Sequence, residues 1–256
     1  MPHDHDAGGS PELLAAKAEL RREVWAALRA AKATRFPGPE GRIPNFVGAE
    51  RAAERLRDTD EWHAAATVKA NPDSPQLPVR QRALEDGKTV FMAVPRLATD
   101  QPFLLLDPSS LTVPPRRAAS ITGASRHGRP IRIDDLEPVD LVVVGCVAVS
   151  PDGSRLGKGG GFSDLEYALA CEAGLIGSAT IVATTLHEVQ VVDDGRIPVT
   201  AHDFRLDMIV TPERVLRCRR ADRDRRPTAI RWEELTDDKI TSIPVLETMR
   251  RDRTRQ

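Results

Sequence analysis

Four glycines crowd into five positions, Gly157, Gly159, Gly160 and Gly161, between Arg155 and Asp164. Without Cβ atoms a ligand can approach the backbone closely. Several N–H groups of such a loop can turn inward as an anion-binding nest beside the positive end of a helix. Arg155 and Lys158 add full positive charges, and Asp164 offers a hard carboxylate oxygen of the kind Mg²⁺ takes. The combination points to a nucleotide polyphosphate bound with its metal. A second interpretation needs no ligand: a tight strand-to-helix connection in which Ser163 and Glu166 form a capping box and Asp164 is a first-turn acid favoured by the helix dipole. Neither common phosphate motif is present, because no Lys-Ser/Thr pair closes the loop and GxGxxG spacing fails at Phe162.

Other residues bear on the same chemistry. Lys17 and Arg21 stand four apart on one expected helix face, where like charges repel by about a few tenths of a kcal/mol. A bound anion turns that repulsion into attraction; the alternative is a solvated basic face beside Glu19 and Glu23. Thr184, Thr185 and His187 fall at the carboxyl end of an expected strand, where open α/β sheets place sites, with His187 read as a satisfied polar side chain. His202-Asp203 is either a turn or surface ion pair or part of a site, with Asp207 in the same segment. No general base is identifiable. Cys146, Cys171 and Cys218 are too few and too scattered for a disulfide framework or a zinc site.

These residues need elements to hold them. Ser10 and Pro11 start a helix running to about Lys32, with Leu13, Leu20, Val24, Ala27 and Leu28 on its apolar face. Gly48 to Arg57 reads as a short helix with Ala52, Ala53 and Leu56 inward. Ala64–Lys69, Thr89–Val94, Phe103–Leu106, Val139–Val149, Ala179–Leu186 and Met208–Thr211 read as strands, with a short strand at Gln190–Val192. Gln76–Glu85 and Asp164–Ala173 are the intervening helices, the second closed by Gly174. Arg116 to Pro130 mixes Gly, Ser and Arg without periodicity and reads as a mobile loop of the kind that closes over ligands. The alternation implies a mostly parallel sheet covered on both faces. Residues 1–10, with His3 and His5, read as a disordered terminus rather than a metal site, residues 11–235 as one α/β domain, and residues 236–256 as a charged carboxyl extension.

The run Arg155-Leu156-Gly157-Lys158-Gly159-Gly160-Gly161-Phe162-Ser163-Asp164 resembles the phosphate loop of the 5-formyltetrahydrofolate cyclo-ligases, or methenyltetrahydrofolate synthetases. Arg42-Ile43-Pro44-Asn45-Phe46, Val139 to Gly145 and Asp164 to Ala168 extend the resemblance to residues 15–215, toward the divergent methenyltetrahydrofolate synthetase domain-containing branch. It implies a three-layer α/β/α fold shared with ribose-phosphate isomerases and CoA transferases. It also implies ATP-driven closure of 5-formyltetrahydrofolate to 5,10-methenyltetrahydrofolate, releasing ADP and phosphate. Carried over residue by residue, ATP would be held by Lys17, Arg21, Arg155, Gly157, Lys158, Gly159, Gly160, Gly161 and Phe162, and Mg²⁺ by Asp164 and Asp203. Phe162 and Asp73 would face the reduced folate, Asp73 as a shifted substitute for the acid that holds the pterin. The chain departs from the family pattern at Gly160, where a second basic residue is usual, and at Phe162-Ser163, where a Tyr-Tyr pair is usual.

A chain of 256 residues with a formal net charge of −1 gives no global reason to expect nucleic acid or an anionic membrane. With no membrane-length apolar run and no signal pattern, the expectation is a cytoplasmic protein. Arg217, Arg219, Arg220, Arg223, Arg225 and Arg226 make residues 214–231 arginine-rich. Asp222 and Asp224 dilute that charge, and no aromatic residue interleaves before Trp232, so a base-stacking RNA platform is lacking. The alternatives to the ligase are an ATP-binding paralogue acting on a different cofactor-related substrate and a non-catalytic RNA-binding protein.

Overall fold

The computed structural model describes residues 9–219 and 226–253. His3 and His5 lie outside them, as do Arg220, Arg223 and Arg225. Ser10 caps α1 (Pro11–Ala30), its Oγ accepting from the Leu13 N–H at 3.3 Å. Leu20, Val24 and Leu28 are buried as the spacing requires, but Ala27 faces solvent. Then come α2 (Ala49–Arg57), α3 (Asp60–Ala64), β1 (Thr67–Ala70), α4 (Leu77–Glu85), β2 (Thr89–Ala93) and β3 (Phe103–Leu106). After them run α5 (Pro115–Ala118), α6 (Ile121–His127), β4 (Arg129–Ile131), β5 (Leu141–Val144), β6 (Ala148–Val149) and β7 (Arg155–Leu156). The chain continues through α7 (Phe162–Glu172), β8 (Ile181–Thr185), β9 (Met208–Val210), β10 (Val215–Arg217), α8 (Asp237–Thr241) and α9 (Pro244–Arg253).

The main sheet has the order β10-β9-β8-β5-β1-β2-β3-β4. From β9 to β2 neighbouring strands are parallel, and antiparallel pairs finish both edges. Period-two alternation sends successive side chains to opposite faces. Phe91, Val142, Val144, Val182 and Ile209 enter one core with Leu165 and Leu169 of α7. Val90, Met92, Leu141, Val143, Ala183 and Met208 enter the other, with Leu56, Trp62, Val79 and Ala83 from α2, α3 and α4. The result is the expected α/β protein with a mostly parallel sheet between helical layers. A third cluster packs α1 through Leu20, Val24 and Leu28 against Ala148 and Leu156 of the β6–β7 hairpin.

Several expectations are corrected. Residues 116–130 are α5, α6 and the start of β4, not a loop; Ala118, Ala119 and Ala124 are fully buried. These helices are short and packed through small residues, so they lack the large periodic apolar side chains that reveal a helix. Val139 to Val149 is two strands: β5 pairs in the main sheet and β6 pairs with β7, with Gly145 at the break. A Cβ at Gly145 would lie 2.8 Å from Ile43 Cγ2 and 2.9 Å from Gln76 Oε1. Ala64 ends α3 and β1 starts only at Thr67, while of the expected strand Gln190–Val192 only Val191 bridges, in parallel to Val149, after a 3₁₀ turn that ends at Gln190. β10 continues the sheet beyond Thr211. Residues 236–253, set apart in the sequence by their charge, bury Ile240, Ile243, Val245 and Leu246 in the core that holds α7. Each such side chain contributes about 1.5–3 kcal/mol, against about 0–1 kcal/mol for an exposed ion pair.

At Gly123, in α6, an added Cβ would sit 1.7 Å from the Arg117 carbonyl oxygen, while at Gly177 it would meet nothing within 4 Å. Gly123→Ala should therefore destabilise by about 2 kcal/mol or more, lowering the thermal midpoint by roughly 4–8 °C. Gly177→Ala should leave it nearly unchanged. Equal midpoints for the two variants would refute the close α5–α6 packing.

Candidate functional site

The glycine loop lies between the β6–β7 hairpin and α7. Asp152 sets the hairpin turn, accepting from Ser150 Oγ at 2.6 Å, from the Ser154 N–H at 2.9 Å and from Arg205 at 3.0 Å. Although burial pushes its carboxyl up, these bonds hold it down at about 2. Gly159 and Gly161 have φ of +105° and +63°, a region that residues with side chains rarely adopt. Gly161 is the N-cap of α7 and carries no side-chain cap. The helix thus begins two residues before the expected Asp164, and its first-turn N–H groups have no intrahelical acceptor. The capping-box interpretation fails. Ser163 Oγ accepts from Asn71 Nδ2 at 3.2 Å, and Glu166 forms a buried pair with Lys69 Nζ at 2.8 Å.

Charges from separate segments meet at this loop. Arg155 is buried, its guanidinium bonded to Asp164 and lying 3.9 Å over the Phe204 ring. Burial opposes its charge, but Asp164 chiefly, with Asp203 adding to it, more than offsets that and raises its pKa. Lys17 Nζ donates to Asp203 Oδ2 at 2.9 Å, and Arg21 Nε donates to the Gly157 carbonyl at 2.8 Å. The basic pair on α1 is therefore not a solvated face; each residue is about 4 % exposed or less. Burial raises the Asp203 carboxyl, yet Lys17, Arg155 and the Thr200 N–H outweigh it and hold it below its ordinary value, so it stays ionised. Lys158 Nζ reaches Asp73 Oδ1 at 3.3 Å.

Among the described residues no group of three or more His, Cys, Asp or Glu side chains forms an all-protein metal cage. Mg²⁺ commonly takes one or two carboxylates together with substrate phosphates and water. Asp164 and Asp203 are hard oxygen donors of that kind, and in this structure the first is bonded to Arg155 and the second to Lys17.

Two cavities flank the loop. The larger, about 430 Å³, is lined by Arg42, Ile43, Asn45, Asp73, Ile121 and Lys158, and has the size of a small-molecule site. The smaller, about 60 Å³, has Gly161, Asp164, His202, Arg231, Glu234 and Lys239 in its wall and is too small for a substrate. Lys239 Nζ donates to the Gly160 carbonyl at 3.1 Å and lies 3.9 Å over the Phe162 ring. His202 Nδ1 is 2.7 Å from Glu234.

The structure thus brings Lys17, Arg21, Arg155, Gly157, Asp164 and Asp203 into one network, and sets Lys158 and Asp73 together on the wall of the larger cavity. His187 is elsewhere employed: its Nδ1 caps the following 3₁₀ turn by accepting from the Val189 N–H at 3.2 Å. Asp207 supports the sheet, accepting from the Val182 N–H at 2.8 Å and from Arg226. Arg214 pairs with Glu188 and Arg217 with Glu61. Sequence reasoning missed Lys69, Glu166, Arg80 and Lys239. Arg80 is fully buried, donating from Nε to the Ala119 carbonyl at 2.8 Å and from its terminal nitrogens to the carbonyls of Asn71, Pro72 and Asp73. Burial lowers its pKa to about 10. It fixes the loop that presents Asp73. The available signal was a charged residue among apolar neighbours, Lys69 in the strand run Thr67–Ala70 and Arg80 on the helix face of Val79, Ala83 and Leu84.

Fold and site together define an α/β protein with a glycine loop at a helix N-terminus, ringed by buried cations. The chain belongs to the 5-formyltetrahydrofolate cyclo-ligase family, whose profile matches residues 14–212. It is 39 % identical over 238 residues to the methenyltetrahydrofolate synthase domain-containing protein of Mus musculus, covering 91 % of this chain and 63 % of that one. The Bos taurus protein of the same description is 36 % identical over 244 residues, with 94 % and 63 % coverage. The chain therefore spans a little under two thirds of these curated relatives. Among solved structures, the 5,10-methenyltetrahydrofolate synthetase of Aquifex aeolicus shares the fold, with a TM-score of 0.50 at 20 % identity, covering 86 % of this chain and 99 % of that one. No helix among the described residues is long and apolar enough to cross a membrane.

The depressed Asp152 carboxyl carries a pH signature. Its folded pKa of about 2 lies below the ordinary 3.8, so its stabilisation is complete above pH 3.8 and is lost as the pH falls toward 2. Urea midpoints of the wild type and Asp152→Asn should differ most near neutrality and converge as the pH falls through this window. A difference that does not vary with pH would show that the carboxylate charge is not what holds the hairpin turn.

Proposed function

We propose that the protein uses ATP and Mg²⁺ to cyclise 5-formyltetrahydrofolate to 5,10-methenyltetrahydrofolate, releasing ADP and phosphate. The observation that carries this reading is the gathering of Lys17, Arg21, Arg155 and Asp203 around the glycine loop, with Asp164 in the first turn of the helix that follows. The formyl oxygen is a poor leaving group. Transfer of the ATP γ-phosphoryl group to it releases ADP and leaves an activated carbon. N10 then attacks that carbon, the C–O bond breaks, and phosphate departs with the N10 proton. Such transfer asks the protein mainly for positioning and charge neutralisation. Loop N–H groups, Lys17, Arg21, Arg155 and Lys158 hold the phosphates, and Asp164 and Asp203 hold the metal, which when bound offsets charge on the terminal phosphates. The 430 Å³ cavity beside Lys158 takes the second substrate, with Asp73 and Asn45 as its polar contacts.

A second reading keeps the ATP site and changes the other substrate. It is supported by the occupied state of the folate-side positions: Ser163 is bonded by Asn71, the Phe162 ring is covered by Lys239, and Asp73 is paired with Lys158. Among the described residues of the arginine-rich segment, Arg214, Arg217 and Arg226 pair with Glu188, Glu61 and Asp207 of this chain.

Absorbance should reveal methenyltetrahydrofolate when the protein, ATP, Mg²⁺ and 5-formyltetrahydrofolate are combined, with ADP and phosphate appearing in step. Asp164→Asn, which keeps an acceptor for Arg155, should lower turnover by about a hundredfold or more through mispositioning, with an unchanged circular dichroism spectrum. Lack of product from the wild type overturns the ligase reading. Calorimetric binding of ATP without binding of reduced folate would then favour the second.

A further inference from the structure

Residues 226–253 lie beyond the family-matched segment, yet they bring a lysine to the glycine loop. The cap is anchored independently of that lysine. Ile230, Ile240, Ile243 and Leu246 are buried, the Ile230 N–H donates to Glu172 at 2.9 Å, and Arg253 reaches Glu172 at 3.3 Å. Thr236 caps α8, accepting from the Lys239 N–H at 3.2 Å. Lys239 Nζ is thereby set 3.1 Å from the Gly160 carbonyl oxygen and 3.9 Å over the Phe162 ring.

The peptide it grips joins two glycines, Gly160 and Gly161, the second at φ +63°. A peptide flanked by glycines meets the least steric resistance to flipping its plane. In a trans peptide the C=O and N–H point in opposite directions. Holding the Gly160 carbonyl toward the cap therefore directs the Gly161 N–H to the other side of the loop. A flipped peptide would present a carbonyl there, and a carbonyl repels an anion.

We propose that Lys239 is a positioning residue of the polyphosphate site: from the C-terminal cap it locks the Gly160–Gly161 peptide in the orientation that offers an N–H to the phosphates. This rests on the ATP reading given above. An arginine can make the same two contacts, donating to a carbonyl and stacking on an aromatic ring; a methionine cannot donate.

Calorimetry with the full chain tests it, using ATP with Mg²⁺ and, separately, adenosine. Lys239→Met should weaken ATP binding by about tenfold or more and leave adenosine binding unchanged, while Lys239→Arg should recover most of the loss. The Gly161 amide should also exchange with solvent faster in Lys239→Met than in the wild type. Wild-type affinity in Lys239→Met overturns this proposal alone. Equal loss of ATP and adenosine affinity, or no recovery with arginine, assigns Lys239 to general structure and overturns it too. Failure of the wild type to bind ATP sinks the nucleotide reading and this proposal together.

Discussion

The buried guanidinium of Arg155 is the constraint on which the rest of the site depends. An ion of this kind costs several kcal/mol to remove from water unless its partners are in place. The chain supplies them from separate segments: Asp164 from the first turn of α7, the Phe204 ring beneath, and the field of Asp203. Asp203 is in turn bonded to Lys17 of α1, and Arg21 on the same helix face holds the Gly157 carbonyl. Hairpin, loop, α7, the residue 200–204 turn and α1 are thus tied through one charge. Moving any of them leaves an ion buried without compensation.

Two further buried cations support this network from below. Lys69, at the carboxyl end of β1, meets Glu166 one turn into α7 and so sets where that helix rests on the sheet. Arg80 spends its donors on backbone carbonyls, shaping the turn after β1 that carries Asp73 to the wall of the larger cavity. Exposed pairs such as Arg22–Glu19 contribute about 0–1 kcal/mol and position nothing near the loop. Breaking a buried pair costs about 3–5 kcal/mol, so it is the buried pairs that fix the geometry. The paired state also shapes ligand exchange in the proposed reaction. A triphosphate competes with Asp164 and Asp203 for Arg155 and Lys17, whereas a divalent cation occupies those carboxylates and releases the cations, so each ligand favours the other.

Much of this was legible in the sequence because the signals are local. Continuous apolar runs placed β2, β3, β5 and β8, a capped 3.6-residue period placed α1, and the glycine loop stood out by composition. The failures have physical causes. α5 and α6 bury alanines and a glycine, which leave no amphipathic signature. At the β5–β6 break Ile43 and Gln76, distant in sequence, fill the space a side chain at Gly145 would need. The partners of Arg155 and Lys17 lie across the fold, so the sequence could name these residues by resemblance but not by contact. In the C-terminal segment Ile240, Ile243 and Leu246 fall on two short helices and the break between them, among charged residues, so no single helical period marks them.

That segment bears on where the functional unit ends. The family profile stops at residue 212, before β10, yet β10 pairs with β9 and Arg226 is bonded to Asp207, the residue that holds the Val182 N–H in β8. Ile240, Ile243, Val245 and Leu246 share one core cluster with Leu165 and Leu169 of α7, the helix whose first turn carries Asp164. Removing this segment would open that shared core. The matched segment and its cap are therefore held by the same core and meet at Gly160.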